Sequence, residues 1–159
     1  MLFGIGYDVH RLVKGRRLML GGVAFDFPLG LEGYSDADVV IHAVCDAVLG
    51  AAALGDIGEH FPDTDPKWKD ISSQVLLKHV AGLIQEKGLV ANNVDVVVIA
   101  QAPKLGARKV EMRDKMARLL GISPERVNVK ATTTEGIGAI GEGKAIAAQA
   151  VVSLREVLD

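Results

Sequence analysis

Residues 35–66 read SDADVVIHAVCDAVLGAAALGDIGEHFPDTDP. From Ser35 to Leu54 the run is rich in Ala, Val and Leu and lacks Pro, which predicts a helix. Ser35 followed by Asp38 matches a capping box at its start. The helix is apolar nearly all round, through Val39, Val40, Ile41, Ala43, Val44, Cys45, Ala47, Val48 and Leu49. A helix of that kind lies inside a fold, covered on most sides. Gly55 to Pro66 then breaks into a loop dense in Asp, Gly and Pro.

The flanking segments supply the cover. Leu2–Val9 alternates as a strand, with Gly4 and Gly6 marking close backbone approach. Arg17–Leu20 and Val23–Phe27 read as a hairpin about Gly21-Gly22. Ser72–Lys87 is an amphipathic helix stopped at Gly88. Val94–Ala100 is a nearly unbroken apolar run, expected to be a strand buried on both faces. Leu105–Leu120 reads as a helix ending at Gly121, and Val127–Thr134 as a β-branched strand. Ile146–Val157 fits either period; Val151 and Val152 tip it to a strand. The fold class is α/β of the α+β type, with helices stacked on one face of a mixed sheet, as one domain over residues 1–159. The other face of the sheet needs a cover, and a second copy of the chain is the simplest one.

With 49% hydrophobic but only 4% aromatic residues, the core must be aliphatic. A net charge of -2 points to neither nucleic acid nor a membrane surface as partner. No apolar run is long enough to span a bilayer, and MLFGIGYDVH lacks the shape of a signal peptide. The single cysteine, Cys45, is expected to be a buried thiol in a reducing cytoplasm.

Asp8 and His10 are two apart on a strand and so share a face. Asp38, His42 and Asp46 are four apart on a helix and share another. Buried in an apolar helix, such groups are costly unless paired. Asp8, His10 and His42 form a set that zinc accepts with one position open, with Asp46 or Asp38 orienting a ligand from behind. Taken singly, each has an ordinary reading: a solvated strand end, a hydrogen-bonded core histidine, a helix cap. In the loop, Asp56, Asp63 and Asp65 offer acceptors for sugar or polyol hydroxyls, or else form ordinary Asx turns. Lys130-Ala131-Thr132-Thr133-Thr134-Glu135 suits phosphate oxygens and a hard cation such as magnesium, or is simply a Thr-rich strand. His60 and His79 read as structural or exposed. Gly136–Gly141 matches a dinucleotide fingerprint literally, but too little chain follows for the required helix and strand, so a flexible turn is expected.

The whole chain resembles the 2-C-methyl-D-erythritol 2,4-cyclodiphosphate synthases of the non-mevalonate isoprenoid pathway. The resemblance is carried by GYDVHRL (6–12), LGG (20–22), residues 35–66, IAQAPKL (99–105) and NVKATTTEGIG (128–138). It implies a homotrimer with active sites between neighbouring subunits and a small cytidine diphosphate substrate. It implies zinc at Asp8, His10 and His42, and a second divalent ion, magnesium or manganese, at Glu135 and the diphosphate. Asp56, Ile57, Gly58, Phe61, Asp63 and Asp65 match the loop at the ribose and methylerythritol hydroxyls, with Ser35, Asp8 and His10 also near substrate. Ala100, Pro103, Lys104 and Leu105 match a cytidine pocket given by the adjacent subunit. Thr132 and Thr133 match residues at the phosphates, Thr133 in transition-state stabilisation. The position before Ser35, usually His and given the same catalytic role, is here Tyr34, which donates a hydrogen bond but is not cationic at neutral pH. Ala139 and Glu142 stand where the family often has Phe and Arg in a cavity on the trimer axis. A carboxylate repels phosphate, so that cavity is expected not to take an isoprenoid diphosphate unless Lys144 substitutes. Rival readings are a nucleotide-binding trimer without turnover and a metal-dependent phosphohydrolase.

Overall fold

The computed structural model describes residues 1–157. In chain order the elements are β1 (Leu2–Val13), β2 (Leu18–Leu20), β3 (Val23–Phe25), β4 (Gly30–Leu31), α1 (Val39–Ala51), α2 (Ile57–His60), α3 (Ser73–Glu86), β5 (Leu89–Ile99), α4 (Arg108–Leu120), β6 (Val127–Thr132), α5 (Gly138–Gly141) and β7 (Ala145–Glu156). The main sheet runs β4-β1-β7-β5-β6, and β2 with β3 forms a separate hairpin. Among the described residues, only β5 and β6 pair in parallel; β1, β4, β5 and β7 meet antiparallel. The sheet is therefore mixed, as expected, with α1 against β1, β7 and β5 and with α3 and α4 in the same layer.

Period-2 alternation sends Gly4, Gly6, Asp8 and His10 to one face of β1. α1 lies directly on that face. A Cβ at Gly4 would sit 2.0 Å from the Ala47 carbonyl oxygen, and one at Gly6 would sit 1.9 Å from that of Ala43. Glycine opposite alanine thus brings helix backbone onto strand backbone. The remaining sides of α1 meet β7 through Ile146, Ala148, Ala150 and Val152, and α3 through Leu76, Leu77 and Val80, all buried. Cys45 is buried with a free thiol.

Asp38, not Ser35, caps α1, so the helix begins four residues later than expected. Its buried carboxylate accepts from Ile41 N at 3.1 Å and from the N–H groups of Gly21 (2.9 Å) and Gly22 (2.7 Å). Gly21 and Gly22 both have positive φ, which lets the tight hairpin present two donors to one cap. The Ser35 hydroxyl accepts from Ala37 N instead. Other elements differ at their ends: β1 extends to Val13, β5 starts at Leu89, and α4 starts at Arg108. β4 and the one-turn helices α2 and α5 are additional; α5 takes up part of the expected glycine turn.

β5 is not buried on both faces within the chain. Val94, Val96 and Val98 face the helices and are buried, whereas Asp95, Val97 and Ile99 are half-buried on the outer side. On that side Phe3, Ile5, Tyr7, Val9 and Val151 are exposed. This is a continuous apolar face, since Ile5 pairs directly with Val151.

The close approach gives an opposed pair of glycine variants. Gly6→Ala forces a methyl group into the Ala43 carbonyl and should destabilise by about 3 kcal/mol. Gly82→Ala, inside α3 with nothing within 4 Å of the added carbon, should stabilise by about 1 kcal/mol. Urea unfolding of both against the parent chain checks the signs.

Candidate metal centre

Asp8 and His10 leave the helix-facing side of β1 beyond the two glycines, and His42 descends from the first turn of α1 to meet them. Asp8 Oδ2 lies 2.7 Å from His10 Nε2 and 3.1 Å from His42 Nδ1. The two imidazole nitrogens are 3.2 Å apart. One ligand atom from each residue falls within 4.8 Å of the other two.

The outer ring nitrogens show which atoms face inward. His10 Nδ1 donates to the Glu32 carbonyl at 2.6 Å, so Nε2 is the nitrogen left for the cluster. His42 Nε2 lies 3.1 Å from Ser35 Oγ and 2.9 Å from Ser73 Oγ, leaving Nδ1 towards Asp8. Two nitrogen lone pairs and a carboxylate oxygen converging on one point suit a divalent cation, and the mixed N and O donors fit zinc with a position open. The protonation of the metal-free site carries the same sign. Burial pushes the Asp8 carboxyl up, but hydrogen bonds and charge from His10 and His42 outweigh it and hold it at about 2. Burial pulls His10 down, yet the Asp8 hydrogen bond and charge raise it above its ordinary value.

These groups form one end of a cavity of about 240 Å³. Tyr34, Ser35 and Asp46 flank it, and Ile57, Gly58, Phe61, Trp68, Ile71 and Leu76 complete the wall. Asp46 accepts from Ile57 N at 2.8 Å and so fastens α2 to α1. Burial, with the charges of Asp56 and Asp8, raises its carboxyl above the usual range against that N–H. Phe61 stacks edge-on against Trp68 and His79, at 4.9 and 5.4 Å between ring centroids. Asp56 caps α2 through Glu59 N, and Asp65 caps the short turn Pro66–Trp68 through Lys67 N. Tyr34 donates to the Asp65 carbonyl at 3.3 Å. Asp56 and Asp63 are exposed on this loop. His60 is structural, its Nε2 bonded to the Leu54 carbonyl at 2.7 Å.

A second cavity, of about 260 Å³, gathers Ala100, Pro103, Lys104, Leu105, Thr132 and Thr133, with Gln101 added. Glu135 belongs beside this one: its N–H donates to Thr133 Oγ1 at 3.1 Å. It is not part of the Asp8, His10 and His42 cluster. β1 and β6 are three strand spacings apart in the sheet, or roughly 14 Å. The expected ligands thus form two separate groups within one chain.

Neither Asp38 nor Asp46 orients a metal ligand, contrary to expectation: Asp38 is spent on the hairpin and Asp46 on α2. Glu32, Ser35 and Ser73 hold the histidines instead. The Glu32 contact is through backbone and leaves no mark in the sequence. Ser73 looks like one more residue of a helix start. Trp68, the one tryptophan of the chain, was the signal that could have flagged the cavity wall.

Residues 1–155 match the YgbB family. A protein of Desulfosudis oleivorans named 2-C-methyl-D-erythritol 2,4-cyclodiphosphate synthase is 60% identical over 156 residues, 98% of this chain and 93% of its own length. The bifunctional IspDF of Campylobacter jejuni superposes with a TM-score of 0.94 at 44% identity, covering 98% of this chain and 42% of that one. A 2C-methyl-D-erythritol-2,4-cyclodiphosphate synthase in a CDP-bound form superposes with a TM-score of 0.88 at 37% identity, covering 96% of this chain and 99% of that one.

The depressed Asp8 carboxyl sets an acid limb. As pH falls, the unfolded chain takes its proton first, near the ordinary 3.8, and the folded chain only near 2. Metal-free protein should therefore lose about 2 kcal/mol from this group between those limits. Urea unfolding from pH 5 to pH 2 should show that loss in the parent chain and a shallower slope in Asp8→Asn.

Proposed function

The chain belongs to the YgbB family, and we propose from that premise that it acts as a cyclodiphosphate synthase, a phosphorus–oxygen lyase of the non-mevalonate isoprenoid pathway. It closes 4-diphosphocytidyl-2-C-methyl-D-erythritol 2-phosphate to 2-C-methyl-D-erythritol 2,4-cyclodiphosphate and releases CMP. The observation that carries this reading is the convergence of Asp8, His10 and His42 at the end of a cleft.

An oxygen of the substrate's 2-phosphate forms a bond to the β-phosphorus, and the bond from that phosphorus to the oxygen bridging to the α-phosphorus breaks. CMP takes the bridging oxygen with its electron pair. Such a transfer needs positioning and charge neutralisation rather than a covalent nucleophile. A divalent ion, when bound, neutralises phosphate oxygens and makes the phosphorus electrophilic. In this reading zinc is held by Asp8, His10 and His42, and magnesium or manganese by Glu135. Asp56, Ile57, Gly58, Phe61, Asp63 and Asp65 hold the polyol end, with Ser35 and Tyr34 beside the cluster. Ala100, Pro103, Lys104 and Leu105 enclose the cytidine, and Thr132 and Thr133 donate to the phosphates, Thr133 as charge develops in the transition state. Tyr34 places a neutral phenol where the resemblance leads one to expect an imidazole, with its O–H donated to the Asp65 carbonyl.

The three strand spacings between β1 and β6, roughly 14 Å, support a site completed by a neighbouring copy. The exposed face of Phe3, Ile5, Tyr7, Val9 and Val151 is the surface on which copies would pack, as a homotrimer of single-domain chains. Lys144 Nζ is paired with Glu142 at 2.5 Å, which supports the absence of an isoprenoid diphosphate site on the trimer axis. We place the enzyme in the cytoplasm, in keeping with its buried free thiol. Among the described residues, no helix is long and apolar enough to cross a membrane.

Phosphorus NMR of the protein with its substrate and a divalent ion tests the reaction. CMP with a cyclic diphosphate is expected. CMP with an open-chain diphosphate would make it a hydrolase, and no turnover would leave a binding protein. His42→Ala should lose bound zinc and at least about 100-fold in turnover, as expected on removing a ligand's whole contribution, while keeping the oligomeric state seen by sedimentation.

A further inference from the structure

Ser73 is fully buried at the start of α3, and its hydroxyl stands between His42 and Asp36. Its Oγ is 2.9 Å from His42 Nε2 and is bonded to Asp36 Oδ1. Asp36 Oδ2 also accepts from Ser73 N at 3.1 Å, and Oδ1 from Asp38 N at 3.2 Å. We propose that Asp36 and Ser73 are positioning residues that dictate the tautomer of His42 and so hold its Nδ1 lone pair ready for the divalent ion. The inference rests on the reading of Asp8, His10 and His42 as metal ligands.

The argument is a count of protons. A carboxylate only accepts, so the one hydroxyl hydrogen of Ser73 goes to Asp36. Ser73 then has only lone pairs to offer His42, and Nε2 must carry the ring hydrogen. A neutral imidazole has one N–H, so in the neutral ring that a metal binds Nδ1 is left bare towards Asp8 and His10; only a doubly protonated ring donates to Asp8 as well. Ser35, at 3.1 Å from the same Nε2, does not enforce this: its Oγ accepts from Ala37 N, and its own hydrogen is free to point at the ring. Without Ser73, the Ser35 O–H can donate to Nε2 and move the ring hydrogen to Nδ1, against the metal. The fastening is also mechanical. Ser73 begins α3 and His42 sits on α1, so the same hydroxyl locks the two helices at the site. Partners behind metal-bound histidines are generally worth 10–100-fold in metal affinity.

The test is zinc affinity of the full chain, measured by chelator competition, together with nitrogen-15 NMR of the His42 ring and thermal stability of the metal-free protein. Ser73→Ala and Asp36→Asn should each weaken zinc by about 10–100-fold and shift His42 towards the Nδ1–H form. The metal-free Ser73→Ala protein should melt somewhat lower, since the hydroxyl joins the two helices, and Ser73→Thr should recover that loss. In Asp36→Asn the new amide can donate to Ser73, which reverses the chain of hydrogen bonds without removing bulk. Ser73→Thr, which keeps the hydroxyl, should restore most of the affinity. Unchanged zinc affinity in Ser73→Ala, or an equal loss in Ser73→Thr, would overturn the proposal. His42→Ala serves as the separate control: if it bound zinc as tightly as the parent, the ligand assignment itself would fail.

Discussion

The contact of α1 with β1 over Gly4 and Gly6 is the constraint from which the rest follows. Two missing side chains on the strand and three alanines on the helix, Ala43, Ala47 and Ala51, put backbone against backbone. At that distance the next residues along the same strand face, Asp8 and His10, reach a histidine on the helix without a long side chain or an intervening layer. A larger residue at either glycine would lift the helix and open the three-residue cluster. The same tight seating explains why the core is aliphatic: there is no room between these layers for aromatic rings. The aromatic groups that do pack together are Phe61 and Trp68 of the cavity wall, with His79 against them.

Around that contact the polar groups are placed by hydrogen-bond necessity. Asp38 is buried because three backbone N–H groups need an acceptor there, two of them from the hairpin turn. That ties the hairpin to the start of α1. Glu32, on the segment following β4, fixes His10 from the other side. The metal cluster is therefore held by elements that are far apart in sequence, and its geometry depends on the whole inner face of the sheet being packed.

Much of this was legible beforehand. Alternation in β1 placed Asp8 with His10, and the all-round apolar character of α1 marked His42 as a buried polar residue in need of partners. Both signals are periodic, and periodicity survives without coordinates. The Asp36–Ser73 pair was not legible, because a serine near a helix start already has an ordinary explanation as a cap. The exchange of roles between Ser35 and Asp38 has the same origin: both are good capping residues, and only the position of the Gly21-Gly22 turn decides between them. Glu135 was read from its Thr-rich stretch as suited to a hard cation, with a plain strand as the alternative, and the resemblance then favoured the cation; in one chain it stands apart from Asp8, His10 and His42, beside Thr133.

The most direct measurement is anomalous diffraction at the zinc edge from crystals of this protein grown with zinc. A peak about 2.0–2.2 Å from Asp8 Oδ2, His10 Nε2 and His42 Nδ1 is the result expected if the strand–helix contact exists to build a metal centre. No peak there, or a peak bound through His60 or His79 instead, would contradict it and leave the cluster as a hydrogen-bonded device of the core.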